Sequence, residues 1–147
     1  MILFSPQNPL HNNFVQPELC IALTQAGVSP RTLYTWKLRG FIAELHTLCF
    51  DPERIYEQME ANIEFIHRKP AYPAFSISDV ENMLPDFYLE RSAIGDYHLN
   101  CDNMYGLEQC THKRLPDVFA LMVLQAIKRR VISPEAVTIK LNQLNSK

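Results

Sequence analysis

Apolar residues recur at helical spacing through much of the chain, and proline or glycine punctuates nearly every run. Leu19, Ala22, Leu23 and Ala26 fall at i, i+3, i+4 and i+7, one buried stripe of a short helix. Pro17 opens that helix near its first position, and Glu18 puts an acid where the helix dipole favours it. Gly27 closes it in the left-handed position that follows a helix. Ser29-Pro30 restarts the pattern, serine as N-cap and proline in the first turn. It predicts a second helix that runs to about Arg39 and stops at Gly40. Phe41 to Phe50 holds β-compatible residues and reads as a short extended connection or hairpin. Asp51-Pro52-Glu53 begins a third helix, with Ile55, Met59, Ile63 and Ile66 on one face and Pro70 and Pro73 beyond its end.

The second half is patterned differently. Ser78 is placed to cap a short helix, DVENML, that Pro85 ends. FYLERSAIGDYHLN, with Gly95-Asp96 near its middle, has the form of a hairpin. Pro116 begins a strongly apolar helix, DVFALMVLQAIKRR, and Ser133-Pro134-Glu135 caps a last one through about Leu144. Val118 to Ile127 is apolar on more than one face, which fits a central core helix and, as the alternative, a dimer interface. Residues 1–16 are rich in Pro and Asn and have no period, so they read as an extended arm ordered by Leu3, Phe4 or Phe14.

One stretch carries a more specific signal. Ala26-Gly27-Val28-Ser29, Arg31-Thr32-Leu33, Trp36 and Gly40-Phe41-Ile42 form a constellation. It resembles the MerR and excisionase-like branch of winged helix-turn-helix proteins, which typically read G-V-S-x-R-T-L-x-x-W/Y and then G-L/F-I. The resemblance covers residues 17–69. It implies that Gly27 permits the turn, that Val28 and Leu33 plug the angle between two helices, and that Trp36 and Phe41 close a small core. It also implies that the second helix presents Arg31, Thr32, Tyr34, Thr35, Lys37 and Arg39 as DNA-binding residues.

Two departures from the family pattern change that picture. Leu23 stands where a small residue usually lets the two helices touch, which widens or rotates their crossing. The segment AELHTLCF takes the place of the wing, has no Gly, Arg or Lys, and brings Glu44. A wing reduced in this way loses phosphate contacts, and two half-sites on one duplex would recover the affinity. The resemblance therefore implies a sequence-specific duplex-DNA-binding protein, a transcriptional regulator or mobile-element accessory factor acting as a homodimer. The alternative is a protein-protein interaction module, an adaptor or modulator built on the same scaffold.

The expected fold class is mainly α. An arm at 1–16 precedes a helix-turn-helix domain at 17–69 with a reduced wing. A helical dimerisation or partner-binding lobe follows at 74–147, with room for a short hairpin. Composition narrows the chemistry. The 147 residues carry 16 Asp+Glu against 14 Lys+Arg. Residues 51–90 hold nine acids and three bases, while residues 91–147 hold five acids and eight bases. That distribution disfavours non-specific nucleic-acid binding by the whole body and leaves room for a local basic face. Lys113-Arg114 and Lys128-Arg129-Arg130 are the candidate basic ends; the latter read first as cations complementing the dipole of the helix they close, with a supplementary phosphate-binding patch as the alternative.

No phosphate-loop, dinucleotide, nucleophile-elbow or H-E-x-x-H pattern occurs, so no enzyme and no cofactor are expected. His98, Cys101, Cys110 and His112 are donors suited to zinc, but one residue between Cys110 and His112 is tight for two ligands of one ion, and no metal is expected. The N-terminal run lacks a basic region and breaks at Ser5, no stretch approaches a membrane span, and four cysteines read as free thiols. A cytoplasmic protein that does not enter the membrane is the expectation.

Overall fold

The computed structural model describes residues 11–30, 34–39, 42–47 and 71–145. A turn of 3₁₀-helix at His11–Asn13 leads into α1 (Pro17–Gln25), then β1 (Tyr34–Arg39), β2 (Ile42–Thr47) and β3 (Ala71–Pro73). After these come α2 (Ile77–Met83), β4 (Phe87–Arg91), β5 (Tyr97–Cys101), β6 (Cys110–His112), α3 (Leu115–Lys128) and α4 (Pro134–Asn145). The described residues thus form four α-helices and two three-stranded antiparallel sheets, ordered β2-β1-β3 and β4-β5-β6. This is an α/β fold, and it replaces the mainly α one expected.

The main correction falls on residues 34–39. They were expected in the second helix of a helix-turn-helix and form the central strand of the first sheet. The physical reason is visible in YTWKLR: Tyr34, Trp36 and Leu38 alternate with Thr35, Lys37 and Arg39, a period of two built from β-branched and aromatic residues. β1 pairs with β2 from Tyr34↔Thr47 to Arg39↔Ile42, and with β3 from Thr35↔Pro73 to Lys37↔Ala71. The expected extended connection is β2. Ser29 N–H donates to Thr138 Oγ1 on α4, and Val28 and Pro30 beside it are buried.

Other boundaries follow the residues that specify them. Pro17 and Glu18 open α1 as expected, while its core-facing side chains are Cys20 and Leu23, with Leu19 packed at the margin. The helix ends in a Schellman motif: Val28 N–H donates to Leu23 O, Gly27 N–H donates to Thr24 O, and Gly27 takes φ +105°. α2 is capped by Ser76, two residues before the expected Ser78, through a reciprocal box with Asp79. Burial of Asp79 raises its carboxyl above the usual range, against the hydrogen bonds from Ser76. The expected hairpin is present as β4 and β5, and β6 extends it to a third strand. The expected third helix over 51–69, with its acidic face of Glu53, Glu57, Glu60 and Glu64, lies outside the described residues.

α3 is the central core helix. Val118, Phe119, Ala120, Met122, Val123 and Ala126 are buried, and the helix packs on α1, α2, β5 and β6. Complete burial of a Val, Met or Phe among them contributes about 1.5 to 3 kcal/mol. The buried apolar residues form one cluster that runs from Phe14 and Val15 through Trp36 and Phe75 to Val137 and Leu141. Among the described residues no helix is long and apolar enough to cross a membrane.

The first residues described are tied to the last third of the chain. Val15 N–H donates to Phe75 O, and Val15 O accepts from the Trp36 indole (3.0 Å) and from the Cys20 thiol (3.3 Å). Asp117, fully buried in the first turn of α3, accepts from Gln16 N–H and pairs with Arg114 at 2.5 Å. The same guanidinium donates to the carbonyls of His11 and Phe14, both at 2.9 Å. Arg114, expected on a basic surface, is an internal clamp.

Candidate functional site

Tyr34, Thr35 and Lys37, three of the six residues expected to read DNA, do not share an open face. Arg31 and Thr32 lie outside the described residues. Tyr34 is half-buried with its ring 4.8 Å from that of Phe14, and Thr35 is only 2% exposed. Lys37 is half-buried in the middle of the sheet, opposite Glu44 in the β1–β2 register. Arg39 ends β1. Of the candidate basic ends, Arg129 donates to Gly106 O and pairs with Glu108, and Arg130 occupies the turn after α3.

The four candidate zinc donors are divided by the pleat of the second sheet. Register puts Cys101, Cys110 and His112 on the face towards α3 and His98 on the opposite face. Among the described residues no three His, Cys, Asp or Glu side chains gather as a metal site. His98 Nδ1 lies 2.9 Å from Thr111 Oγ1 and accepts from Gln109 Nε2 at 2.9 Å, so the outer face carries a small polar cluster. A cleft of about 300 Å³ borders the start of α3, but Arg114 in its wall is committed to Asp117 and two carbonyls.

Among the described residues the outer strands longer than three residues are β2 and β4, and it is β4 that lies among several exposed apolar side chains. β4 is an outer strand of the second sheet, paired with β5 over five consecutive residues without a bulge. Tyr88 (65%), Leu89 (39%), Ile94 (86%) and Met104 (78%) are four of the seven large apolar side chains exposed among the described residues, and all belong to this sheet and its loops. Natural edge strands are commonly shortened, broken by proline or guarded by lysine against pairing. β3 and β6 have three residues each, and β3 carries Pro73. β4 reads FYLER, with neither proline nor lysine.

Its hydrogen-bonding groups can be assigned. Ser92 N–H donates to Asp96 O at one end of the β4–β5 ladder, and Asp102 N–H donates to Asp86 O at the other. Antiparallel alternation then turns the even-numbered residues of β4 towards β5. The N–H and C=O of Phe87, Leu89 and Arg91 point to the free edge. No backbone hydrogen bond to those groups occurs among the described residues outside the ladder.

The edge is held firmly. Phe87 anchors β4 with its ring edge-on to Phe119 of α3, centroids 5.2 Å apart. Arg91 stacks over Tyr97, and the Ser92 hydroxyl accepts from Asp96 N–H across a turn whose Gly95 has φ +94°. The loop bearing Met104 is fixed by Gln125 of α3, which accepts from Glu108 N–H and donates to Glu108 O. The hairpin signal in the sequence located β4, but the pairing of β6 with the far side of β5, which leaves β4 at the edge of its sheet, was not readable there.

Comparison with protein-family models, with curated proteins and with solved structures found no match to this chain.

Proposed function

We propose that the chain is a protein-protein interaction module whose docking surface is the free edge of β4, and that its partner adds an extended strand there. The observation that carries this reading is the unguarded edge itself. Three residues present outward N–H and C=O groups, and apolar side chains stand exposed on both sides of the same strand. Strand addition uses this combination: main-chain bonds supply affinity and alternate side chains supply specificity. The MerR-like resemblance and duplex-DNA binding as a dimer rest on the sequence. Of the cations assigned to that role, Lys37 lies in a central strand opposite an acid.

Selection of extended peptides against the dilute protein tests the proposal. Binders should shift the backbone amide resonances of Leu89 and Arg91, with affinity that changes little as salt is raised. The proposal is overturned if no peptide perturbs β4. It also fails if mixed duplex DNA binds with a steep salt dependence that Lys37→Ala removes while β4 stays unmoved.

A further inference from the structure

Resting on the interaction-module reading, we infer that the strand β4 receives is the β4 of a second copy of this chain, giving a symmetric dimer with a continuous six-stranded sheet. Only odd-numbered residues of β4 offer free backbone groups, so self-pairing is confined to registers that set odd against odd. In an antiparallel pair centred on Leu89, all five residues take part. Leu89 faces Leu89 of the partner subunit, Phe87 faces the partner's Arg91, and Tyr88 faces the partner's Glu90.

The order of charges selects that register. The strand is aromatic at one end and charged at the other, so antiparallel alignment sets each aromatic ring against a charged side chain of the other copy. A phenol beside a carboxylate is a favourable pair, and Arg91, stacked over its own Tyr97, stands beside the partner's Phe87. Sliding two residues one way sets Glu90 against Glu90. Sliding the other way brings Pro85 into the ladder, where it has no N–H to give. The centred register forms about six inter-strand hydrogen bonds. It also lays the Ile94 turn of one copy beside the Phe87 end of the other, the end of the sheet that carries Met104.

Sedimentation equilibrium of the chain, with amide exchange at two concentrations, tests this. The parent protein should show a monomer-dimer equilibrium, with the Leu89 and Arg91 amides protected in the dimer and exchanging faster on dilution. Leu89→Lys places a charge at the centre of the pair and should raise the dimer dissociation constant at least about tenfold. Its circular dichroism should stay that of the parent, since the Leu89 side chain is 39% exposed at the margin of the sheet. Leu89→Pro removes one outward N–H and should act in the same direction. A chain that stays monomeric at every concentration overturns the inference, as does a dimer that Leu89→Lys leaves unchanged. A monomer that still takes extended peptides along β4 ends self-pairing and leaves the module reading standing. Loss of both ends both.

Discussion

Gly27 and Arg130 occupy the same place in two copies of one helix-ending motif, and only one of them is glycine. After α3, Val131 N–H donates to Ala126 O and Arg130 N–H donates to Ile127 O, the pair of bonds that Val28 and Gly27 make after α1. Arg130 takes φ +60°, where a β-carbon meets the following carbonyl at a cost of about 1 to 2 kcal/mol. Arg130→Gly should therefore stabilise the protein by about 0.5 to 1 kcal/mol, less than the full strain because glycine also loosens the unfolded chain. Gly27→Ala should destabilise it by about 2 kcal/mol. At Gly27 a β-carbon would add close contacts with Pro134, at 3.2 and 3.3 Å, to the backbone strain. Urea titration of both variants checks the opposite signs. A second residue-scale expectation concerns pH. Burial pushes the Cys20 thiol from its ordinary 9.0 up to about 12. Between those values the unfolded chain releases the proton and the folded chain holds it. The contribution is whole below pH 9, and stability falls by about 1.4 kcal/mol per pH unit above it. Unfolding curves of the parent and Cys20→Ala, compared at pH 8 and pH 10.5, should show the parent losing more.

At the scale of elements, local signals were legible where one force acted alone. Pro17 and Gly27 bound α1, Pro116 and Ser133-Pro134 start α3 and α4, and Gly95-Asp96 sits in the β4–β5 turn as its composition implies. The stretch from Ser29 to Arg39 carried two signals at once. Its cap and proline argue for a helix, and the alternation of YTWKLR argues for a strand. The competition is decided by what each face meets. As a strand, Trp36 is wholly buried with its indole N–H on Val15 O, and Thr35 is covered by the neighbouring strands. Those partners lie twenty residues upstream and nearly forty downstream, so no window of the sequence held them together. The candidate site was half visible for the same reason. FYLER could be read as a strand, but an edge is defined by the absence of a neighbour, and strand order is set by contacts distant in the chain.

For the whole molecule, the tie between the first described residues and α3 carries the most weight. Asp117→Ala would leave the Arg114 guanidinium mostly enclosed without its carboxylate and Gln16 N–H without its acceptor. A loss of about 3 kcal/mol is expected in urea unfolding. Arg114→Met with Asp117→Leu should lose less than the sum of the two single variants, since the pair acts as a unit. The clamp also orders events during synthesis. The Arg114 side chain holds the carbonyls of His11 and Phe14, about a hundred positions earlier in the chain. At roughly 5 to 20 residues per second, the segment around Phe14 and Val15 is made roughly 5 to 20 s before its anchor. Throughout that interval its aromatic side chains are open to chaperones and proteases. A nascent chain released before Arg114 would lack this anchor and be a ready substrate for degradation.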